Sequence, residues 1–397
     1  MKWHQNLYEA IREAIDRTLT KGEATDTVLQ ELFRNNPRWG KRDRNFIKEK
    51  TFRIIRRKNL WEKVAQELYG HHDAESMLKA YILVTEDVPP GFVEPHTGLK
   101  RTSKEIYRKL EQIPEFHFGL PTWLYKKGKS TWKHRWDDIA GRLNRESLPV
   151  IRVNTLKTGR KQLAEAFRNK GLQFRMPAGF PEAIVFEKTY RLNNTVWYKN
   201  GLFEWQDLSS QSVGHFAGVR PGMTVIDACA GAGGKTLHLA ALMQNQGTII
   251  ALDIAPVKLR ELKKRARRAG VKNIGKIAPA DEKTIGRLEN LADIVLVDAP
   301  CSGSGTYQRK PHLKWKFSPR AFEQILQNQR HILDTYARTV KPGGYLVYAT
   351  CSVLADENQN QVQDFLNRNK DFTFVQDKTL IPDKGFDGFY MAKLKRK

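Results

Sequence analysis

One feature constrains the second half of this chain more than any other. It is a short apolar run that ends in a glycine-rich turn and passes directly into a helical pattern, VIDACAGAGGKT from Val225 to Thr236. A strand that feeds a helix through such a turn needs glycines wherever the backbone bends sharply or is approached closely. It also commits the chain to strands joined by helices. The alternation continues downstream. Thr248 to Leu252 reads as a strand, Lys258 to Ala269 as a helix and Asp293 to Val297 as an apolar strand. Phe322 to Val340 reads as a helix stopped by Lys341-Pro342-Gly343-Gly344, and Tyr345 to Tyr348 as another strand. Buried apolar strands alternating with helices predict a doubly wound parallel sheet. In such sheets ligands lie outside the carboxyl ends of the strands.

The turn admits three readings. A phosphate-cradling loop requires a glycine, four residues, then Gly-Lys-Ser/Thr; Gly234-Lys235-Thr236 supplies the end, but Cys229 stands where the first glycine belongs. A dinucleotide fingerprint requires G-x-G-x-x-G; Gly231 and Gly233 begin it, but Thr236 holds the third place. S-adenosylmethionine has no phosphate. It asks for close backbone approach to an amino acid and a ribose, then an acid at the end of the next strand. Asp253 ends that strand about 20 residues downstream, the spacing of ribose-binding carboxylates in dinucleotide folds. Asp281, after Ile277-Ala278-Pro279-Ala280, can accept from an adenine amino group or serve as a surface or capping residue. Asp227 can order the turn from its base.

Three cysteines occur, Cys229, Cys301 and Cys351, with no CxxC pair. That count argues against a disulfide framework and a zinc site, and fits a reducing cytoplasm. Two of them follow apolar strands, in DAPCSGSGT and ATCSVLADEN, where substrate should lie. Buried free cysteines are usually small core residues; two at equivalent loop positions point instead to chemistry. Carbon 5 of cytosine is a poor nucleophile. A thiolate adding to carbon 6 makes carbon 5 enamine-like, able to attack a methyl sulfonium; loss of the carbon 5 proton and of the thiolate restores the ring. Such a scheme needs a thiolate, an acid near the ring nitrogen and a base for the proton. Asp298 is the candidate acid and Cys301 the candidate base. No metal is needed.

The chain has 397 residues and a formal net charge of +25, with 68 Lys and Arg against 43 Asp and Glu. So large an excess repels itself and usually serves a polyanion, of which nucleic acid is the expected one. An anionic membrane surface is the rival. No apolar run reaches the roughly 18 residues of a membrane span, and Met1 to Arg17 mixes charged and apolar residues, unlike a signal peptide. Residues 1–135 read as helical, with a break at Asn36-Pro37 and Gly40, Asp43 as a helix cap, and a loop at Pro89-Pro90-Gly91 and Pro95. Lys126 to Arg135 is densely basic around Trp132, either a solvated face or an RNA-facing patch. Residues 136–205 suggest a small α/β subdomain, with strands near Pro149–Asn154 and Ala183–Phe186 and a helix over Leu163–Lys170. Residues 206–397 form the third domain.

PCSGSGT, ATCS, GGKT and DGFYMA together resemble the RsmB/NOP/Sun family of RNA cytosine-5 methyltransferases, over roughly Val150 to the C-terminus. IRVNTLK (Ile151 to Lys157) and FEWQDLSSQ (Phe203 to Gln211) resemble further family segments. The resemblance implies a Rossmann-like class I methyltransferase sheet and an enzyme acting on ribosomal RNA of the 16S type. It maps Cys351 to nucleophile and Cys301 to release; in related DNA enzymes the Pro-Cys cysteine attacks instead. It implies S-adenosylmethionine contacts from Cys229, Ala230, Gly231, Ala232, Gly233, Gly234 and Lys235, and from Asp253, Asp281 and Asp298. Two departures stand out. Ala232 replaces the usual proline of CAxPGGKT, and Arg309 to Trp315 lacks the acid of the family's DxxW. Lys41 to Lys58 (KRDRNFIKEKTFRIIRRK) is similar to a segment of NusB-like RNA-binding domains.

A basic RNA-binding assembly factor with a degenerate pocket is the alternative from another class, and the intact cysteine pair speaks against it. Methylation of an exocyclic nitrogen would need an Asn/Asp-Pro-Pro-aromatic loop, which Asp298-Ala299-Pro300-Cys301 is not. The target base must be unpaired or flipped out for a thiol to reach carbon 6. The helix with Lys263, Lys264, Arg265, Arg267 and Arg268 reads equally as part of a basic cleft or as a solvated face. A monomeric cytoplasmic enzyme without an obligate protein partner is expected.

Overall fold

The computed structural model of the protein describes residues 3–86 and 97–397. The expected loop at Pro89-Pro90-Gly91 and Pro95 lies outside the described residues. The chain forms two compact units: residues up to Asn144 with Tyr307–Pro319, and Arg145–Thr306 with Arg320–Lys397.

The first unit is helical: α1 (Gln5–Leu19), α2 (Thr25–Asn35), α3 (Lys41–Arg56), α4 (Lys58–Tyr69), α5 (Ala74–Thr85), α6 (Thr97–Glu111), α7 (Pro114–His117), α8 (Thr122–Trp132) and α9 (Trp136–Leu143). Apolar residues recurring at helical spacing give each long helix a buried stripe. Ile11, Ile15, Val28, Ile47, Ile54, Leu60 and Val64 are fully enclosed in one core. The break before α3 falls as expected, but Asp43 is not the cap. Gly40 occupies the cap position, and Asp43, three residues on, accepts a hydrogen bond from the Gly40 N–H at 2.9 Å. A carboxylate in the first turn thus satisfies the entering amide and faces the helix dipole.

Tyr307–Pro319 belongs to this helical unit. The Trp315 indole donates to the Ile55 carbonyl at 2.7 Å, and the Lys314 ammonium donates to the Arg56 carbonyl at 3.1 Å and to Asn144 Oδ1 at 2.5 Å. Lys314 is buried, and burial beside Arg56 and Arg57 holds its amine well below the usual lysine range. In the segment that lacks the family's acid, His312 lies 3.3 Å from Thr25 Oγ1, with its imidazole pushed down to about 4 by burial and by Lys310 and Lys316.

The second unit begins with β1 (Val150–Val153), α10 (Arg160–Arg168), β2 (Phe174–Arg175), β3 (Ala183–Phe186), α11 (Val196–Lys199) and β4 (Phe203–Trp205). Its strands form a small antiparallel sheet in the order β2-β3-β1-β4. There follow α12 (Leu208–Ala217), β5 (Thr224–Asp227), α13 (Gly234–Leu242), β6 (Thr248–Asp253), α14 (Pro256–Ala269), β7 (Ile274–Pro279), α15 (Glu282–Gly286) and β8 (Ala292–Asp298). The chain ends with α16 (Pro319–Ala337), β9 (Val340–Thr350), α17 (Gln359–Arg368), β10 (Phe372–Leu380) and β11 (Phe389–Arg396). The seven-stranded sheet runs β10-β11-β9-β8-β5-β6-β7.

Two expectations need correction. The sheet is not wholly parallel. The ladders from β9 to β7 are parallel, but β11 runs antiparallel to β9 and β10 antiparallel to β11. The edge strand β10 is largely exposed, so it lacks the apolar run that marks its neighbours. Also, Lys341-Pro342-Gly343-Gly344 does not end a helix: α16 stops at Ala337, and these residues bulge within β9. Gly343 takes a φ of +78°, and a side chain on Gly344 would meet the Ala292 and Asp293 carbonyls at 3.0 Å. The glycines therefore serve a crowded bulge inside the strand rather than a helix end.

Candidate active site

The turn between β5 and α13 lies at the carboxyl end of the sheet, where β6 and β8 also finish. Gly231 and Gly233 have φ of +54° and +87°, so L side chains would be strained there. A side chain on Gly233 would also come within 2.7 Å of Leu262. The Gly231 N–H donates to Asp253 Oδ2 at 2.8 Å and the Ala255 N–H to Asp253 Oδ1 at 2.8 Å, which ties the end of β6 to the turn. Asp227 is buried beneath the turn and accepts from the Thr236 hydroxyl at 2.6 Å, while its second oxygen has no partner. Burial pushes its carboxyl up to about 7.

The small sheet braces this turn from behind. Arg152 of β1, itself buried, donates to the Gly234 carbonyl at 2.9 Å and to Gln206. Arg265 of α14 donates to the Ala232 carbonyl at 2.8 Å and to Glu204 of β4 at 2.8 Å. Arg268 joins the buried Glu204 at 2.5 Å, and its guanidinium lies 4.0 Å from the Tyr198 ring centre. Arg265 is therefore committed to the turn and Arg268 to Glu204, whereas Lys258, Arg260, Lys263, Lys264 and Arg267 of that helix remain exposed.

S-adenosylmethionine fits these residues. A side chain added at Gly231 or Gly234 would meet nothing within 4 Å, so one side of the turn is open. The unpartnered oxygen of Asp227 and the acidic surroundings suit a cation, and each Asp253 oxygen keeps a lone pair for a ribose hydroxyl. Ile254, next in the chain, is 81% exposed and offers an apolar face to a purine. Cys229 lines the turn as a neutral thiol, pushed up by burial and by Asp298, Asp227 and Asp253. Asp281 is exposed and caps α15, accepting from the Thr284 N–H at 2.7 Å.

The two remaining cysteines meet. Cys301, after β8, and Cys351, after β9, place their sulfurs 3.2 Å apart, both half-buried. The hydrogen bond to Cys351, burial, and the charges of Cys351 and Glu357 hold the Cys301 thiol well above its ordinary value. Asp298, ending β8, pairs with Lys235 at 2.6 Å.

Beneath the thiols lies a residue that sequence reasoning missed. Glu357 is fully buried and accepts from the Ser302 N–H at 2.7 Å, the Ser302 hydroxyl at 2.5 Å, the Ser352 hydroxyl at 2.5 Å and Gln329 at 3.1 Å. Ser302 and Ser352 each follow a site cysteine, so one carboxyl group binds both loops. Burial raises its pKa, and these hydrogen bonds oppose the rise. The Gly305 N–H donates to the Cys351 carbonyl at 2.9 Å, and a side chain on Gly305 would collide with the Gly388 carbonyl.

A Rossmann-like sheet with a glycine turn, an acid at the end of the next strand and paired thiols defines a class I methyltransferase. Comparison with known proteins agrees. The profile of the 16S rRNA methyltransferase RsmB/F family matches residues 218–395, and that of the RsmF/B-like ferredoxin-like domain matches residues 120–193. The ribosomal RNA small subunit methyltransferase B of Salmonella paratyphi A is 27% identical over the full length of both chains. The crystal structure of PH0851 superimposes with a TM-score of 0.86 at 26% identity, covering 100% of both chains. A methyltransferase homolog protein from Pyrococcus horikoshii gives a TM-score of 0.63 at 28% identity, over 72% of this chain and 98% of that one. The matched segments and the full-length relatives are those of RsmB/F-type RNA methyltransferases.

Proposed function

We propose that this enzyme uses S-adenosylmethionine to methylate carbon 5 of a cytosine in small-subunit ribosomal RNA, with Cys351 as the nucleophile. The observation that carries the reading is the pair of sulfurs 3.2 Å apart at the ends of two adjacent strands, with Cys301 held protonated. Two thiolates so close repel, so only one of the pair ionises at a time, and in this reading Cys351 is the one that attacks. Its sulfur bonds to carbon 6, and the ring electrons move toward the ring nitrogen, where the Lys235–Asp298 pair presents a proton. The cofactor supplies a methyl group to carbon 5. Once Cys351 is a thioether it neither accepts a proton from Cys301 nor repels its thiolate. Cys301 then gives its proton to water and takes the carbon 5 proton, and Cys351 leaves as a thiolate while the carbon 5–carbon 6 double bond reforms and the ring nitrogen returns its proton to the Lys235–Asp298 pair.

The substrate reading rests on the relative named for the small ribosomal subunit and on the net charge of +25. Residues 1–135 serve in it as a NusB-like RNA-binding domain, 136–205 as a second RNA-binding element and 206–397 as the catalytic domain. Among the described residues no helix is long and apolar enough to cross a membrane. The enzyme is read as cytoplasmic and monomeric. Asp253 and Asp281 hold ribose and adenine in the proposed complex, and residues 229–235 with Asp298 surround the remainder.

The test is incubation with labelled S-adenosylmethionine and unmodified small-subunit RNA, followed by nucleoside analysis. Wild type is expected to yield 5-methylcytidine and Cys351→Ala none. Cys301→Ala is expected to accumulate an RNA–protein adduct that survives denaturation. Turnover retained in Cys351→Ala and lost in Cys301→Ala would reverse the cysteine roles. Cofactor binding without any methylated RNA would favour the assembly-factor reading.

A further inference from the structure

Behind the cofactor helix lies a cluster the methyl transfer does not use. Glu182, just before β3, His215 of α12 and His238 of α13 bring one ligand atom each within 4.8 Å of one another. His215 Nε2 and Glu182 Oε2 lie 2.8 Å apart. His238 is only 1% exposed, yet neither of its ring nitrogens has a hydrogen-bond partner. Buried polar groups are almost always paired, and an exception calls for a missing ion or water. A glycine makes room for the ring: a side chain on Gly214 would come within 2.5 Å of His238 Nδ1. An ion pair between Glu182 and His215 alone leaves both His238 nitrogens unexplained.

We propose that Glu182, His215 and His238 bind a divalent transition-metal ion, most suitably Zn²⁺. Two imidazoles and one carboxylate match the donor set of open zinc sites, whereas Ca²⁺ and Mg²⁺ prefer oxygen donors throughout. The fourth position goes to water, reached past His215, whose side chain is 41% exposed. His238 is the neutral form a metal requires, since burial, Arg152, His215 and Lys235 all disfavour its protonation. The nearby Arg152 cation opposes a second positive charge, but its guanidinium is bound to Gln206 and the Gly234 carbonyl. Tetrahedral ligands about 2.1 Å from zinc lie roughly 3.4 Å apart, a spacing between the 2.8 Å of the His215–Glu182 pair and the 4.8 Å span of the three atoms, and rotation of the exposed His215 ring adjusts both. The ion would join the small sheet, through Glu182, to the helix that starts at the cofactor turn. The cysteine count gave no hint of this site, because its ligands are histidines and a carboxylate from three separate elements.

The experiment is titration of the chelator-stripped full chain with Co²⁺ and then Zn²⁺ near neutral pH. Visible d–d absorption and retained metal after desalting are the readouts. One equivalent is expected, without the sulfur charge-transfer band that binding at the Cys301–Cys351 pair would give. Glu182→Gln, His215→Ala and His238→Gln should each weaken binding by about 100-fold or more, while a Cys301→Ser, Cys351→Ser double variant still binds. His215→Ala alters an exposed ring, so it keeps the test decisive if His238→Gln misfolds; circular dichroism of the stripped proteins checks this. Unchanged affinity in His215→Ala and Glu182→Gln, loss of binding in the cysteine double variant, or no retained metal in wild type would each overturn the proposal.

Discussion

Around the cofactor turn the bracing groups carry full charges, whereas around the thiol pair they are hydroxyls, amides and one buried carboxyl group. Arg152 and Arg265 grip the turn through its carbonyls, Glu204 holds Arg265, and Asp227, Asp253 and Asp298 bring negative charge around Cys229 of the turn. A sulfonium cofactor is itself a cation, so carboxylates there are assets. The thiols need the opposite treatment. A cation beside Cys301 would draw out its proton prematurely. The loops are instead held by Ser302, Ser352 and Gln329, collected on Glu357, and by Ser304, which bonds to the Ser352 hydroxyl. The lesson is that one pocket keeps two electrostatic regimes apart by choosing different bracing chemistry for each.

Four perturbations test that contrast, in decreasing order of effect. Cys351→Ala should lower methylation by roughly 10⁴-fold or more, with cofactor affinity unchanged in calorimetry. A matching loss of cofactor binding would mean the two regions are not separable.

The second concerns Asp227. Its folded pKa of about 7 lies above the ordinary carboxylate value. Between about pH 4 and pH 7 the unfolded chain has therefore released a proton that the folded chain still holds. Stability falls as pH rises through that window and levels off above it. Asp227→Asn should remove this decline, worth on the order of a few kcal/mol, in denaturant titrations of cofactor-free protein. Parallel pH curves for the two proteins would rule out a protonated Asp227.

Third, Glu357→Gln replaces an acceptor of several hydrogen bonds with a group that also donates. The predicted cost is about 1–3 kcal/mol of stability and roughly a 10- to 100-fold fall in kcat, with little change in cofactor Kd. Fourth, Arg265→Met keeps the aliphatic stem but frees the Ala232 carbonyl and half of Glu204. Cofactor binding should weaken by about tenfold, the equivalent of one charge-assisted hydrogen bond. The alkylation rates of Cys301 and Cys351 should be unaffected.

What the sequence disclosed and what it hid follow one division. Strand–turn–helix order, the glycine turn, Asp253 and both site cysteines were legible, because each is a local pattern or sits at a predictable strand end. Glu357 was not. In LADEN it reads as an acid at the start of a surface helix, and only packing beneath Ser302 and Ser352 makes it the centre of the loops. Glu204 and Arg152 were equally hidden, since a charge within a short strand does not announce a partner on a distant helix. Asp43 and the Lys341–Gly344 stretch were misread because one residue type serves several local geometries. A carboxylate three residues inside a helix can do a cap's work, and paired glycines can bulge a strand as well as end a helix.

The return of Tyr307–Pro319 to the helical unit has a consequence for how the chain is made. Synthesis runs from the N-terminus, and domains generally fold as they emerge. Here the helices are complete in sequence by Asn144, yet Trp315 and Lys314 still have to bind the Ile55 and Arg56 carbonyls. The first-made unit of this protein is therefore finished late, only after the strand that carries Cys301 has left the ribosome.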